Sequence, residues 1–208
     1  MVLVGVDEVG RGCWAGPLVA GAVILDQSIN GLRDSKKLSR AQREALAVAI
    51  QGQAVAIGLG WVDPATIDTI GLTAAVRLAM ERAVAQLSVV YDEIIIDGSF
   101  NFLAHLQKPI GPKISTLVKA DDLVPAVSAA SIMAKVARDD YMYRVALLYP
   151  GYGFERHVGY GTALHSTQLK LQGVTPEHRR SYKPIQAFLR PTNKRPKMYE
   201  VRPRTSPQ

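Results

Sequence analysis

Five short blocks of apolar residues, separated by polar loops and helical patterns, predict five β-strands along this chain. The first block, residues 2–6, is apolar or small on both faces, which is typical of a strand that is covered on both sides. It ends in two adjacent acids, Asp7 and Glu8, and a glycine-rich turn follows at residues 10–12. The other predicted strands are residues 18–25, 54–61, 93–97 and 113–120.

Apolar residues that recur every three or four positions predict helices between these strands. Ser39 and Gln42 have the spacing of a capping box, so a helix is expected to begin there and to run to about residue 50. The pair Asp63 and Pro64 predicts the start of a short helix. The longest predicted helix, residues 125–148, carries alanines that allow close approach to a sheet. Further helices are predicted at residues 72–87, at residues 162–172 and from Thr175 onward, with a loop at residues 149–161.

Strands and helices that interleave in this way predict an α/β fold. The sheet is expected to be mixed, because the first two strands are joined too tightly for the crossover that a parallel pair needs. Three strands end in acids, at Asp7 and Glu8, at Asp97 and at Asp121. Since functional groups in open α/β sheets gather at the carboxyl ends of strands, these acids are candidates for one shared site. The alternative interpretation is that Asp7 and Glu8 form a solvated strand end beside an ordinary glycine loop.

The 208 residues are enough for one well-buried domain with a short appendage. A hydrophobic content of 48% and a charged content of 21% are those of an ordinary globular protein. The single cysteine, Cys13, excludes an internal disulfide and a cysteine-based zinc site, and it favours a reducing compartment. No apolar run approaches about 20 residues and no leader pattern precedes the first strand, so we expect a cytoplasmic protein that does not span a membrane.

The formal net charge of +7 is concentrated at the C-terminal end. Residues 190–208 contain six lysines and arginines, one glutamate and four prolines, and such a composition does not predict a packed structure. We therefore predict one domain over residues 1–189 and a basic, flexible tail over residues 190–208. The tail is either a solubilising end or a non-specific arm that is attracted to polyphosphate.

Four carboxylates in one place would repel one another, so at least one would have to take up a proton or the cluster would have to splay apart, unless a divalent cation neutralised it. Two like charges about 4 Å apart repel each other by roughly 4 kcal/mol at an effective dielectric constant near 20. All four candidate ligands carry oxygen donors, which favours Mg²⁺ or Mn²⁺ over Zn²⁺. Two such ions that share a carboxylate are typical of phosphodiester hydrolysis, although phosphatases use the same ligands.

The sequence gives less support to other kinds of catalytic site than to a carboxylate metal site. The sequence lacks the glycine-rich nucleotide-binding patterns and the G-x-S-x-G nucleophile pattern. The four histidines are distributed over loops and late helices, so most of them are predicted to be structural or surface groups.

Several motifs, in their order along the chain, resemble those of bacterial ribonuclease HII. The resemblance covers nearly the whole chain up to about residue 189, and it is specific because the motifs are independent of one another. It implies a ribonuclease H-like fold, with a mixed sheet flanked by helices and a small C-terminal helical part. The motifs are DEVGRG and AGP (residues 7–12 and 15–17), DSKKLS (34–39), IIIDG (94–98), KAD (119–121), VSAASIMAKVARD (127–139), YGFERHVGYGT (152–162) and HRRSY (178–182).

The resemblance further implies an endonuclease that cuts the RNA strand of RNA–DNA hybrids and nicks duplex DNA on the 5′ side of embedded ribonucleotides. The products would carry 3′-hydroxyl and 5′-phosphate ends. Members of the family use Mg²⁺ or Mn²⁺, and two ions are expected in the catalytic complex. The expected partners are RNA–DNA hybrids and ribonucleotide-containing duplex DNA, and the protein is expected to be a monomer. A non-catalytic module that coats hybrids and a junction resolvase on a similar fold are the competing hypotheses.

By the family pattern, the catalytic and metal-binding acids are Asp7, Glu8, Asp97 and Asp121. Asp7 would bridge the two ions, Glu8 and Asp97 would hold the ion on the leaving group, and Asp121 would hold the ion on the nucleophile. Asp122, next in the chain, is the alternative fourth ligand. Two positions depart from the family pattern, with Ala120 in place of a glycine and Val158 in place of a lysine.

The same pattern assigns recognition of the ribose to Gly10, Arg11, Gly12 and Tyr160, and contacts with phosphates to Lys36 and Lys37. RNA differs from DNA by one 2′-hydroxyl, so a discriminating site needs close backbone approach and one aimed polar group. Glycines permit that approach and a tyrosine offers a rigid phenol. The alternatives are a half-buried core position for Tyr160 and a solvated loop for the two lysines.

Overall fold

A five-stranded mixed β-sheet forms the centre of the molecule, which a computed structural model describes over residues 1–189. The strand order is β3-β2-β1-β4-β5; β1 pairs with β2 and β2 with β3 antiparallel, whereas β1 pairs with β4 and β4 with β5 parallel. The predicted mixed α/β sheet is therefore confirmed. The predicted basic tail, residues 190–208, lies outside the described residues. The strands are β1 (Leu3–Val9), β2 (Leu18–Leu25), β3 (Ala54–Val62), β4 (Glu93–Asp97) and β5 (Lys113–Leu117).

Helices cover both faces of the sheet. The capping box at Ser39 and Gln42 is present, and Asp63 accepts a hydrogen bond from the backbone N–H of Thr66, so both predicted helix starts are confirmed. None of the helices in residues 1–189 combines the length and apolar character that crossing a bilayer requires. The helices are α1 (Arg40–Gln53), α2 (Pro64–Ile70), α3 (Leu72–Val84), α4 (Ala120–Leu123), α5 (Pro125–Leu148), α6 (Phe154–His157), α7 (Ala163–Gln172) and α8 (Lys183–Leu189).

The long helix α5 lies directly against the backbone of β1 and β2. A Cβ atom on Gly5 would come within 2.1 Å of the Ala126 carbonyl carbon, and one on Gly21 within 2.4 Å of the Ala130 carbonyl oxygen. Only glycine allows the two backbones to approach this closely. Because alternate strand residues share a face, the α5 side of β1 carries Gly5 and then Asp7. The close packing of α5 therefore determines which acid of β1 lies beneath the helix.

Helix α3 packs against the opposite face of the sheet. Val4 and Val6 of β1 and Ile96 of β4 are fully buried in one cluster with Ala79 and other residues of α3. This alternation leaves the odd-numbered residues of β1 and β4 on the α5 side. Val6 pairs with Ile96 in the parallel register of β1 and β4. Asp7 and Asp97, the next residues, therefore lie side by side on one face at the carboxyl ends of two neighbouring strands.

The strand predicted at residues 113–120 is shorter than expected. It ends at Leu117, Lys119 adopts a left-handed conformation with φ of 61°, and α4 begins at Ala120. The Asp97 carboxylate explains the change of direction, because it accepts a hydrogen bond of 2.8 Å from the backbone N–H of Ala120. Asp121 therefore lies in the first turn of a short helix and not at the end of a strand.

Two further expectations about the C-terminal part were wrong. Residues 149–161 contain the short helix α6, and the last helix begins at Lys183 and not at Thr175. At Thr175 the chain forms a turn instead, because the His178 ring nitrogen Nδ1 accepts a hydrogen bond of 3.0 Å from the Thr175 backbone N–H. His178 then forms an isolated β-bridge with Ala15 and so ties this segment to the loop that follows β1.

Candidate active site

Three carboxylates meet on the α5 side of the sheet. Asp7, Asp97 and Asp121 each offer one carboxylate oxygen, and these oxygens all lie within 4.8 Å of one another. Asp7 and Asp121 are buried, and Asp97 is half-buried. The three residues come from two parallel strands and from the helix that follows β5. The expectation that acids from separate elements converge therefore holds for these three.

Backbone hydrogen bonds orient the three side chains. The Glu8 backbone N–H donates to Asp7 Oδ1 at 2.7 Å, and the N–H groups of Ala120 and Asp121 donate to Asp97 Oδ1 at 2.8 and 3.5 Å. Asp97 thus directs α4 so that Asp121 turns toward it. Backbone groups of β1 and α4 thus fix the orientation of the Asp7 and Asp97 carboxylates.

Burial and like charge both disfavour the ionised form of this cluster. Burial, followed by the charge of Glu8, raises the pKa of Asp7 well above its usual value, while the Ser131 hydroxyl acts in the opposite direction. Burial, followed by the charge of Asp97, likewise raises the pKa of Asp121. A divalent cation would reverse this effect by favouring the carboxylates. The donor set, which is entirely carboxylate oxygen, fits the hard cations Mg²⁺ and Mn²⁺.

Glu8 lies outside this group of three. Like Val4 and Val6, Glu8 has an even number in β1, so its side chain leaves the strand on the face opposite to that of Asp7. There its Oε1 accepts a hydrogen bond of 3.1 Å from Arg11 Nη1. Burial raises the pKa of Glu8, and although Arg11 lowers it, the charge of Asp97 raises it further. Glu8 is thus near enough to interact with Asp97 electrostatically while it is held by the arginine of the glycine turn.

The structure separates Asp121 from its neighbour Asp122. Asp122 forms an ion pair with Lys37, and one of its oxygens accepts a hydrogen bond of 3.3 Å from the Asp34 backbone N–H. These contacts, with the hydrogen bond from Lys37 first, lower the pKa of Asp122. Asp121 is the residue of the pair that faces Asp7 and Asp97.

Lysines surround the carboxylates at the edge of the site. Lys36 Nζ lies 3.6 Å from Asp121 Oδ2 and 3.9 Å from Asp34 Oδ1, so Lys36 lies at the mouth of the cluster. Lys37 is directed to Asp122 instead. An open cleft includes both lysines together with Lys119, and its floor contains Asp97 and Asp121. Positive side chains around an acidic floor suit a polyanion whose phosphate reaches bound cations.

The glycine turn and the Tyr160 loop form a second part of the site. Gly10 has φ of 94°, and a Cβ on Gly12 would meet no atom within 4 Å, so the turn presents bare backbone at that point. Tyr160 is 41% exposed, and its ring centroid lies 5.8 Å from Lys135 Nζ of α5. Burial, then the neighbouring Cys13 thiol, raises the pKa of Tyr160. The glycine turn and the loop that carries Tyr160 therefore both lie near the surface.

Direct hydrogen bonds join these two segments. The backbone N–H groups of Trp14 and Ala15 donate to the Gly159 carbonyl oxygen at 2.8 and 3.3 Å. A Cβ on Gly161 would lie 2.0 Å from the Trp14 ring, so this glycine too is required for close contact. The residues predicted to recognise the ribose therefore belong to one continuous surface.

Sequence reasoning missed a buried cluster of histidines behind this surface. His157 and His165 stack with ring centroids 4.3 Å apart, and His165 Nε2 lies 2.9 Å from His178 Nε2. His165 Nδ1 donates to the Tyr160 carbonyl oxygen at 2.9 Å. Burial lowers the pKa of His165 and of His178 to about 4 each. The wide spacing of these residues along the chain hides their proximity.

Two fully buried arginines, Arg138 and Arg179, also lie behind the glycine turn. Both guanidinium groups donate to backbone carbonyl oxygens of residues 11–17. For Arg138 a sequence signal exists, because a charged residue occurs in an alanine-rich helix that packs on the sheet. Arg179 belongs to the motif HRRSY, although its local pattern does not reveal that the side chain is buried.

The sequence of the chain is similar to those of known proteins. A model of the family described as Ribonuclease HII matches residues 4–185. The chain is 47% identical over 195 residues to the ribonuclease HII of Dichelobacter nodosus, which covers 93% of this chain and 100% of that protein. It is 49% identical over 187 residues to the ribonuclease HII of Nitrosococcus oceani, covering 89% of this chain and 90% of the relative.

Solved structures give the same result for the fold. The ribonuclease H2 of Pyrococcus horikoshii superposes with a TM-score of 0.77 at 27% sequence identity, covering 90% of this chain and 97% of that one. The expected ribonuclease H-like fold is thereby confirmed.

Proposed function

The chain belongs to the ribonuclease HII family of metal-binding hydrolases, and from this we propose that it cleaves the RNA strand of RNA–DNA hybrids and nicks duplex DNA on the 5′ side of embedded ribonucleotides. The observation that carries the proposal is the group of three carboxylates, Asp7, Asp97 and Asp121, two of which, Asp97 and Asp121, line a cleft that also contains lysines. Such a group suits the hydrolysis of a phosphodiester in a polyanion.

Asp7, Asp97 and Asp121 would hold two Mg²⁺ or Mn²⁺ ions. Glu8 would join Asp97 once Arg11 releases it. When bound, the ions would activate the attacking water and neutralise charge on the departing 3′ oxygen. The products would carry a 3′-hydroxyl and a 5′-phosphate.

The residues around the carboxylates would bind and orient the scissile strand. Lys36 and Lys37 would contact phosphates, and Lys36 is already placed 3.6 Å from Asp121. A phosphate that approaches Lys36 would also draw this ammonium group away from the carboxylate. The lysines would thereby favour a nucleic-acid backbone over a small neutral substrate.

Recognition of the ribose would fall to the second part of the site. The bare backbone at Gly12 allows a sugar to approach closely, and Tyr160 offers a phenol that is 41% exposed. A 2′-hydroxyl both donates and accepts hydrogen bonds, so backbone groups and a phenol together would distinguish it from the hydrogen of a deoxyribose. This arrangement supports cleavage at a single ribonucleotide as well as in long hybrids.

The experiment is a nicking assay on a DNA duplex that contains one ribonucleotide. We expect cleavage on its 5′ side in the presence of Mg²⁺ or Mn²⁺, no cleavage in excess chelator, and no cleavage of the same duplex made entirely of DNA. A non-catalytic hybrid-binding protein would bind the duplex without nicking it, and a junction resolvase would ignore the lone ribonucleotide. Either result would contradict the proposal.

A further inference from the structure

Arg138 lies at the centre of a three-way contact between α5 and two loops. Its side chain is fully buried. Its Nε donates to the Pro17 carbonyl oxygen at 2.8 Å, its Nη2 to that of Ala15 at 3.0 Å and its Nη1 to that of Val158 at 2.8 Å. Removing a charge from water is costly, and these carbonyl dipoles compensate for the lost hydration. A guanidinium can serve three carbonyls in one plane because its donors form a rigid fork.

The three carbonyls belong to the two segments that we assign to ribose recognition. Pro17 and Ala15 end the loop that begins at the Gly10–Gly12 turn, and Val158 precedes Tyr160 by two residues. The guanidinium lies directly beneath that turn, since a Cβ on Gly10 would come within 2.5 Å of Arg138 Nε. Arg138 is therefore in contact with both segments at the point where they meet.

The conformation of the Tyr160 loop makes this contact more important. Val158 has φ of 42°, a left-handed conformation that is strained for a β-branched residue. Such a conformation persists only when the surrounding structure holds it, and the Arg138 bond to the Val158 carbonyl oxygen is one of the contacts that do so. One turn earlier on the same helix, Lys135 Nζ lies 5.8 Å from the Tyr160 ring centroid. Helix α5 thus contacts the loop both at its strained residue and at Tyr160.

We propose that Arg138 is a positioning residue that sets the distance between the Gly10–Gly12 turn and Tyr160, and thereby the efficiency with which a single ribonucleotide is recognised. This inference rests on the function proposed above. It concerns a buried group that does not touch the substrate and that acts only through the two loops.

Arg179 offers a matched control. It is also fully buried and also donates to carbonyl oxygens, at 2.9 and 3.1 Å to Gly16 and at 3.1 Å to Arg11. These carbonyls all belong to the first loop. A replacement of Arg179 therefore perturbs a comparable buried arginine without releasing Val158.

The test is a double-mutant cycle between Arg138 and Tyr160. Arg138→Lys keeps the positive charge but removes the forked guanidinium donors. We expect it to lower kcat/KM on a duplex with one ribonucleotide by about 10- to 100-fold, because a displacement of recognition groups by about 1 Å can cost that much. In a Tyr160→Ala background the same replacement should lower kcat/KM less than about threefold, since there is no phenol left to position. Arg179→Lys leaves the contact with Val158 in place, so its fold loss should depend less on the presence of Tyr160 than that of Arg138→Lys. The affinity for Mn²⁺, measured by calorimetry, should be unchanged in Arg138→Lys.

Equal fold losses for Arg138→Lys in the two backgrounds would overturn the inference and leave Arg138 a purely structural residue. If Arg138→Lys does not fold, Gly159→Ala replaces it in the cycle, because a Cβ there would lie 2.2 Å from the Ala15 carbonyl oxygen and would push the loops apart. Additive losses with that variant would also refute the inference. A wild-type protein that does not nick the duplex would refute the proposed function itself, a result distinct from additivity in an active enzyme.

Discussion

Replacing Asp97 with asparagine should stabilise the cation-free protein and at the same time abolish cleavage. An asparagine can still accept the 2.8 Å hydrogen bond from the Ala120 N–H, so α4 should remain in place. The charge, however, disappears from a group whose oxygens lie within 4.8 Å of one another. The replacement thus separates the structural role of Asp97 from its role in holding a cation.

The magnitude follows from the geometry of the cluster. At 4.8 Å and an effective dielectric constant near 20, each pair of carboxylates repels by about 3.5 kcal/mol, and Asp97 takes part in two of the three pairs. Asp97 is half-buried, so solvent screens part of this repulsion. We therefore expect a net stabilisation of about 1–3 kcal/mol at neutral pH without divalent cations.

The assay is thermal unfolding in chelator and with added Mn²⁺, combined with the nicking assay. In chelator, Asp97→Asn should melt at a higher temperature than the wild type, whereas Mn²⁺ should raise the melting temperature of the wild type only. Asp26→Asn, at an exposed acid outside the cluster, serves as the control and should change stability by less than about 0.5 kcal/mol. A lower melting temperature in chelator, or a retained response to Mn²⁺, would refute the reasoning that these carboxylates repel one another and share a cation.

Three other predictions concern parts of the molecule outside the carboxylates. Tyr160→Phe should lower kcat/KM at an isolated ribonucleotide, and an unchanged value would remove the Tyr160 hydroxyl from ribose recognition. Truncation after Leu189 removes six basic residues and should reduce the slope of log affinity against log salt by up to about 5 units for non-specific duplex DNA; an unaltered slope would leave the tail a solubilising end. Because the pKa values of His165 and His178 are lowered to about 4, both rings stay neutral in the fold while the unfolded chain takes up protons below about pH 6.5. The stability that these two histidines contribute should therefore be intact above about pH 6.5 and should be lost toward pH 4, with a slope of up to about 2.7 kcal/mol per pH unit for two protons. Urea unfolding across this pH range measures the slope, and His165→Gln should reduce it.

The sequence determined most of the secondary structure and the class of the fold. The apolar run at residues 18–25 became β2 with unchanged bounds, because a run of eight apolar or small residues suits a strand that is buried on both faces. The capping box at Ser39 placed the start of α1, because it satisfies two backbone donors locally. The acid at the end of residues 93–97 marked the carboxyl end of β4. Each of these signals depends on near neighbours in the chain, so it can be recognised from the sequence alone.

Only the tertiary structure decided how the acids of the site are arranged. Asp7 and Glu8 are adjacent in sequence, and the packing of α5 against Gly5 assigns Asp7 to the carboxylate group and leaves Glu8 with Arg11. The position of Asp121 depends on Asp97, which redirects the chain into α4 through a contact across 23 residues. Long-range hydrogen bonds of this kind leave no periodic trace in the sequence.

The same limit applies to the groups behind the glycine turn and the Tyr160 loop. His165 and His178 meet, and Arg138 contacts carbonyl groups more than 100 residues away, only because α5, α7 and the loop after β1 pack together. Local propensities determine which segments become helices and strands, since they act over a few residues. The relative positions of those segments follow from packing, which brings together residues that are distant in the chain. The sequence gives the identities of these residues but not their contacts.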